Sequence, residues 1–190
     1  MNRLITITFA AVLLMTIAVQ AADHNEKTVF ITRATFDSNL GGLTGADAKC
    51  QAEADEPASI VPSGIYMAWL SDGPNSPDSR FTKSSHPYVL PNGKRIAENY
   101  NDLTDGSILN PINLDSRGKP VGYQRFWTGT NPDGTTADDG AFNGLCDGWA
   151  VDPPAKKYGW NGHTAKKTTS WTAGTGYGCR HNLKLACFQQ

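Results

Sequence analysis

Four cysteines constrain this chain more than any other feature. Cys50, Cys146, Cys179 and Cys187 all follow an N-terminal segment that is typical of exported proteins. An even number of cysteines in an exported chain predicts disulfide bonds, because thiols are oxidised outside the cytoplasm. A zinc site is the alternative, but no two cysteines form a Cys-x-x-Cys pair and the histidines are scattered. We therefore predict two disulfides, for which the sequence alone allows three pairings.

Residues 1–21 have the layout of a secretory signal peptide. A basic start at Arg3 precedes an apolar run over Leu4–Val19, and Val19-Gln20-Ala21 favours cleavage before Ala22. The alternative is an uncleaved anchor, but the run is near the short limit of about 20 apolar residues for a membrane span. We predict a secreted protein, extracellular or periplasmic, with no membrane span after cleavage and with one domain over residues 22–190.

The composition indicates a chain with many turns, and its net charge does not favour highly charged partners. The formal net charge is -1, which does not favour binding to nucleic acid. The 19 glycines and 11 prolines are typical of a fold with long loops.

The order of elements predicts an α+β domain. Residues 28–32 are β-branched and aromatic, as in a first strand. One long helix is predicted over residues 46–56, with Thr44 as its N-cap and Asp47 completing a capping box. Further strands are predicted at residues 65–70, 88–90, 94–96, 125–129, 146–150 and 182–188, with a hairpin turn at Pro91-Asn92-Gly93 and one helical turn over 100–103.

Five motifs stand in order between residues 29 and 188. They are Gly41–Cys50, Tyr66–Ser71, Asn92-Gly93, Phe126–Gly134 leading to Cys146–Trp149, and Ser170-Trp171-Thr172 followed by Cys179-Arg180-His181 and Leu183–Phe188. This series resembles the endostatin domain at the C-terminus of collagens XV and XVIII, and the bacterial secreted proteins that share its pattern. The resemblance implies a C-type lectin/endostatin-like fold with a twisted antiparallel sheet, one main helix and long loops.

The resemblance also implies which cysteines pair. The family's disulfides are nested, which here corresponds to Cys50–Cys187 and Cys146–Cys179. The second bridge would hold the segment Tyr158–Gly162, for which we predict a loop with little secondary structure of its own.

Basic residues are the first candidates for a binding surface. Lysines flank the segment Tyr158–Gly162, and a Cys146–Cys179 bridge would draw them toward the basic residues after Cys179. Collagen-derived endostatins bind heparan sulfate through clustered arginines, whereas most of these residues are lysines, which lack the bidentate fork of arginine. The alternative is a solvated charged loop. The basic candidates are Lys156, Lys157, Lys166, Lys167 and Arg180.

Aromatic residues are the second group of candidates, because aromatic side chains on loops make good binding anchors. Tyr158, Trp160 and Tyr177 either pack within their loops or contact a ligand. The other tryptophans are predicted core residues: Trp69 and Trp127 on strands, and Trp149 and Trp171 at positions that match the core of the family.

No motif for catalysis, a metal or a cofactor stands out. The four histidines, His24, His86, His163 and His181, lack a nucleophile or paired carboxylate in any local motif. In Trp160-Asn161-Gly162, glycine occupies the position at which the calcium-dependent sugar site of C-type lectins needs a carboxylate.

Two weaker cation sites are possible in the sequence. Asn131, Asp133, Asp138 and Asp139 lie in one acidic loop, but they lack the spacing of an EF-hand, which favours turn-forming side chains. Signal cleavage would also leave Ala22-Asp23-His24 at the N-terminus, an arrangement that can bind Cu(II) or Ni(II).

These observations favour a non-enzymatic, monomeric, secreted binding module that recognises a protein or glycan ligand through surface loops, without a metal or cofactor. The alternative is a protein that binds glycosaminoglycan or carbohydrate through the lysine-rich segment without calcium. A third hypothesis is a secreted hydrolase whose site is assembled from distant residues.

Overall fold

The computed structural model of the protein describes residues 25–137, 144–150, 152 and 157–190. The predicted signal peptide, the Ala22-Asp23-His24 terminus, Asp138, Asp139 and Lys156 therefore lie outside the described residues. Within the described ranges, no helix is long and apolar enough to cross a membrane.

The chain is a mixed α+β protein with few helices, as predicted. The helices are α1 (Gly42–Ala54), α2 (Pro77–Arg80) and α3 (Tyr100–Leu103), with 3₁₀ turns at Cys146–Trp149 and Thr169–Trp171. The strands are β1 (Lys27–Ile31), β2 (Tyr66–Ala68), β3 (Tyr88–Val89), β4 (Arg95–Ala97), β5 (Arg125–Trp127), β6 (Tyr158–His163), β7 (Gly176–Gly178) and β8 (Ala186–Gln189).

Within the described residues, the strands form two sheets. The larger sheet has the order β2-β8-β1-β3-β4, and the smaller has the order β5-β6-β7. The smaller sheet is antiparallel throughout, but β1 and β3 pair in parallel in the larger one. The prediction of an antiparallel sheet is therefore wrong at this pair. The long connection between β1 and β3, which includes α1 and β2, gives the chain the length that a parallel crossover needs.

The one long helix is confirmed, but its predicted start is wrong. Helix α1 begins at Gly42, because Gly41 adopts a left-handed conformation with φ 82° at the N-cap position and no side chain caps the helix. A residue with a side chain would be strained in that conformation. Thr44 therefore lies inside the helix, and the predicted capping box does not form.

Asp47 instead protects the free edge of β2. Its Oδ1 accepts a hydrogen bond from the Ala68 N–H at 2.9 Å, and the Gln51 Oε1, one helical turn further on, accepts one from the Tyr66 N–H at 2.9 Å. These are the donors that β2 turns away from its partner β8. An edge strand with unpaired backbone groups invites association with other chains, so this contact both fixes α1 on the sheet and covers the edge.

Both disulfides have the pairing that the resemblance implies. Cys50–Cys187 joins α1 to β8 with a Cα–Cα distance of 5.5 Å, and Cys146–Cys179 joins the first 3₁₀ turn to the end of β7 with a Cα–Cα distance of 5.7 Å. The core predictions are also confirmed, since four tryptophans are fully buried: Trp69, Trp127, Trp149 and Trp171.

Two local predictions in the second half are wrong. Residues 158–162, predicted to be a loop, belong to the six-residue strand β6, which pairs with β5 on one side and β7 on the other. Residues 146–150, predicted to be a strand, form a left-handed turn in which Cys146, Asp147 and Trp149 have φ values of 46°, 58° and 63°. The disulfide and a 2.6 Å hydrogen bond from the Trp149 indole N–H to the Ser71 carbonyl hold this turn in place.

Candidate functional site

The register of the smaller sheet brings two polar residues together. In the antiparallel pair of β5 and β6, Arg125 lies directly opposite His163. Opposed residues in such a pair project from the same face, so the two side chains are neighbours although 38 positions separate them in the sequence. Tyr123 joins them, because its ring centroid lies 3.7 Å from that of His163.

These residues line a cleft with two lobes, which we name the Arg125 cleft. Tyr123, Arg125 and His163 line both lobes. The first lobe, of about 230 Å³, adds Gln124, Tyr177, Asn182 and Leu183. The second lobe, of about 150 Å³, adds Asn161, Lys166, Ser170, Gly174 and Thr175. No aspartate or glutamate of the described part of the chain lines either lobe.

The Arg125 guanidinium is held on one side and has unused donors on the other. Its Nη1 donates to the Asn161 Oδ1 at 2.9 Å and to the Thr175 Oγ1 at 3.3 Å. Its central carbon lies 5.2 Å from the ring centroid of Tyr177, within the range of a cation–π contact. Among the described residues, Nε and Nη2 have no hydrogen-bond acceptor. The guanidinium group is therefore fixed in position, while its Nε and Nη2 still have hydrogen-bond donors available for a ligand.

His163 is buried and its hydrogen bonding is incomplete. The residue is only 6% exposed, and its Nδ1 accepts a hydrogen bond from the Ala165 N–H at 3.1 Å. From that bond we infer that the neutral ring carries its proton on Nε2. Nε2 is itself buried and has no partner within the described part of the chain. A buried donor without an acceptor costs about 1–3 kcal/mol and requires an explanation.

The charge state of His163 follows from its surroundings. Burial lowers its pKa below the usual 6.5, and the positive charges of Arg125 and Lys166 lower the pKa further. The ring is therefore neutral at pH 7. It contributes a directional N–H donor to the cleft, while Arg125 and Lys166 contribute positive charge.

The predicted lysines that the structure describes do not come together in one patch. Lys157 lies at the start of β6 and pairs with Asp147, whereas Lys166 and Lys167 follow its end. Six residues of extended strand separate the two positions by about 20 Å. The Cys146–Cys179 bridge does not draw them together because the segment between them is a strand and not a loop. Lys166 lines the Arg125 cleft, and Lys167 is exposed nearby in sequence.

The remaining candidates are spread along β6 and β7. Tyr177 lines the first lobe of the cleft. Tyr158 is 47% exposed at the opposite end of β6, where Arg180 is also exposed after Cys179. Trp160 is half-buried against Gly144, where the indole leaves no space for a further side-chain carbon. Tyr177 and Lys166 are therefore the two predicted residues that share a site with Arg125 and His163.

Lys184, which the sequence also places among the basic residues after Cys179, has a structural role. Its ammonium group is buried and donates to the Thr32 carbonyl at 2.9 Å and to the Arg33 carbonyl at 2.7 Å. It cannot contribute to a surface patch.

Three residues of the cleft were not predicted as site residues from the sequence: Tyr123, Arg125 and His163. The available signal was the alternation of side chains between the two faces of a strand, since Arg125 stands two residues before Trp127 and His163 two residues after Asn161. Alternation places residues on a face of one strand, but only the pairing of β5 with β6 makes Arg125 and His163 neighbours.

The described residues of the cation sites considered from the sequence make other contacts. The Asp133 Oδ1 accepts a hydrogen bond from the Thr135 N–H at 3.0 Å, which is the contact of a turn-forming side chain. The Asn161 Oδ1 accepts from the positively charged Arg125. Over the residues that the structure describes, no group of three or more His, Cys, Asp or Glu could hold a metal ion.

No protein-family model and no curated protein matches this chain significantly. The function is therefore inferred from the geometry and chemistry of the cleft.

Proposed function

We propose that this protein is a secreted, non-enzymatic binding module with a C-type lectin/endostatin-like fold, and that its ligand binds in the Arg125 cleft. The observation that carries the proposal is the buried His163 Nε2, which has no partner among the described residues and belongs to a cleft-lining residue directly opposite Arg125 in the sheet. Two disulfides support an oxidising compartment, and their pairing supports the fold family.

The chemistry of the cleft supports binding rather than hydrolysis. A hydrolase needs a nucleophile or an activated water beside a general base. Among the residues that the structure describes, the lining contains no carboxylate and no cysteine, and the His163 Nε2 makes no hydrogen bond to a hydroxyl group. A set of fixed donors can orient a ligand without transferring a proton.

The proposal is tested by measuring ligand binding to the oxidised mature protein on a glycan array and a panel of matrix proteins. For every ligand found, we expect Arg125→Ala and His163→Ala to weaken binding by about tenfold or more. The matched controls are Arg95→Ala and His86→Ala, because Arg95 is exposed on the larger sheet, where it pairs with Glu98 at 2.8 Å, and His86 is exposed before β3. Ligands bound equally well by both cleft variants and by the wild type would exclude the cleft as the binding site.

Glycosaminoglycan binding without calcium is the second candidate function. It is favoured by Lys166, which adds positive charge to the cleft, and by exposed Lys167 beside it. Such binding decreases with ionic strength because salt screens exposed charges. We expect retention on a heparin column to fall when Lys166 and Lys167 are both replaced by alanine. Elution of the wild type at or below physiological salt would remove this candidate.

A further inference from the structure

We infer that the Arg125 cleft recognises the carboxylate of an acidic sugar residue. In this arrangement the Nε/Nη2 edge of Arg125 and the Nε2–H of His163 hold the two carboxylate oxygens, and the exposed ring of Tyr123 packs against the sugar. The inference rests on the proposed function, because it names the ligand chemistry of the same cleft.

The polar groups of the cleft indicate an anionic ligand. Arg125 and Lys166 are cationic, and the neutral His163 ring presents an N–H. Because no carboxylate of the described ranges lines either lobe, a ligand that mainly donates hydrogen bonds or carries positive charge would find few acceptors there. The Asn161 Oδ1 already accepts from Arg125. An oxyanion is the group that satisfies the unpaired donors together.

The geometry of Arg125 fits an oxyanion that binds through two oxygens, and the small number of cations in the cleft favours a carboxylate over a sulfated chain. Asn161 and Thr175 bind Nη1 and fix the guanidinium plane, which leaves Nε and Nη2 on the same edge. Two parallel N–H groups match the two oxygens of a planar carboxylate in a bidentate pair. Sulfated chains gain their affinity from several clustered cations, whereas this cleft contains one guanidinium and one ammonium group among its lining residues.

The size and aromatic lining of the cleft favour a sugar ring as the carrier of that carboxylate. Lobes of about 230 and 150 Å³ are smaller than the about 300–1,000 Å³ of sites for drug-sized ligands, so each accommodates a single small ring. Tyr123 is 70% exposed although its ring lies against His163, and Tyr177 lies across Arg125. An exposed tyrosine such as Tyr123 provides a rigid apolar surface for the C–H face of a pyranose.

The inference is tested by titration calorimetry with the full mature protein and three unsulfated probes: a galacturonate trimer, a hyaluronan tetrasaccharide and sialyllactose. The first two present uronic acids and the third a sialic acid, so the set identifies the source of the carboxylate. We expect at least one probe to bind, and its carboxyl-reduced form to bind about tenfold more weakly or worse. This comparison uses the wild-type protein and does not depend on the folding of a variant.

Conservative variants separate a bidentate contact from simple charge attraction. Arg125→Lys keeps the charge but loses the fork, so we expect it to weaken binding of the acidic probe by about tenfold, whereas Arg95→Lys leaves binding unchanged. His163→Gln retains an N–H donor near the Nε2 position, and it should bind more tightly than His163→Ala. Thermal denaturation of each variant verifies that it is folded.

Three results would overturn the inference. They are equal affinity for a probe and its carboxyl-reduced form, no binding of any of the three probes, and unchanged affinity in Arg125→Lys. If a neutral glycan or a protein ligand were instead weakened by Arg125→Ala, the carboxylate inference would fail and the proposed function would stand. If no ligand responded to the cleft variants, both would fail.

Discussion

Removal of either disulfide is expected to destabilise the protein by an amount that depends mainly on the length of the loop it closes. Cys50–Cys187 spans 137 residues and Cys146–Cys179 spans 33. Loop-closure entropy assigns about 5 kcal/mol to the first bridge and about 4 kcal/mol to the second at 25 °C. The difference is 1.5RT ln(137/33), or about 1.3 kcal/mol.

The two bridges form a matched pair for this experiment. All four cysteines are buried, with exposures of 1% or less, so replacing either pair by alanine removes similar packing contacts. The difference between the two double variants therefore isolates the loop term. We propose to measure the free energy of unfolding of Cys50→Ala/Cys187→Ala and Cys146→Ala/Cys179→Ala in guanidinium chloride.

We expect Cys50→Ala/Cys187→Ala, which lacks the bridge over the longer loop, to have the lower free energy of unfolding of the two double variants. Similar m-values in the two variants are needed, because a changed m-value indicates a changed denatured state or a loss of two-state unfolding. An equal loss in the two variants, or a larger loss on removing Cys146–Cys179, would refute the loop-length reasoning. The left-handed turn at Cys146–Trp149 would then be the dominant contribution.

Three further perturbations test single contacts. Because burial holds the pKa of His163 below its usual 6.5, the stability that the neutral ring contributes is present above pH 6.5 and is lost as the pH falls through the folded-state pKa. When the free energy of unfolding is measured against pH, His163→Gln should remove this contribution to the slope, which is at most about 1.4 kcal/mol per pH unit. Gly162→Ala would place a Cβ 2.1 Å from the Trp171 carbonyl oxygen, and we expect thermal denaturation to show a loss of about 3 kcal/mol or more. Asp47→Ala leaves the Ala68 N–H without its acceptor, which should cost about 1–3 kcal/mol in chemical denaturation.

The Gly162 and Asp47 variants each have a matched control within the chain, and the His163 variant has a contradicting outcome. An unchanged pH slope in His163→Gln would mean that other groups titrate in that range. Gly178→Ala brings a Cβ within 3.2 Å of only the exposed, movable His181 ring, so it should be much milder than Gly162→Ala. Asp47→Asn keeps an oxygen acceptor for Ala68 and should be less destabilising than Asp47→Ala; equal losses would contradict the role of that hydrogen bond.

Features with a local cause could be predicted from the sequence. The hairpin at Pro91-Asn92-Gly93 forms because Gly93 readily adopts the required φ of 79°. The first strand and the helical turn over 100–103 also follow from local residue preferences. The pairing of the cysteines came only from the resemblance of the motif series, since cysteine count and spacing leave three pairings open.

Features with a non-local cause could not be predicted. The segment Tyr158–Gly162 contains two glycines, which lower strand propensity, and it becomes strand β6 because β5 and β7 pair with it on both sides. The glycines allow close packing: a Cβ at Gly159 would contact Trp127 and Trp149 below 3.0 Å. Two residues that looked like loop formers are therefore requirements of tertiary packing.

The same packing explains why the Arg125 cleft is a rigid site although β5, β6 and β7 are short. Strand β6 lies directly on buried tryptophans, and Asn161 beneath the cleft is fully buried and fixes the guanidinium of Arg125. Arg125 and His163 are therefore held in position before any ligand arrives. A preorganised site loses little side-chain entropy on binding, so a few donors suffice for affinity. The unpaired His163 Nε2–H is destabilising to the free protein, and an acceptor supplied by a ligand would recover that energy.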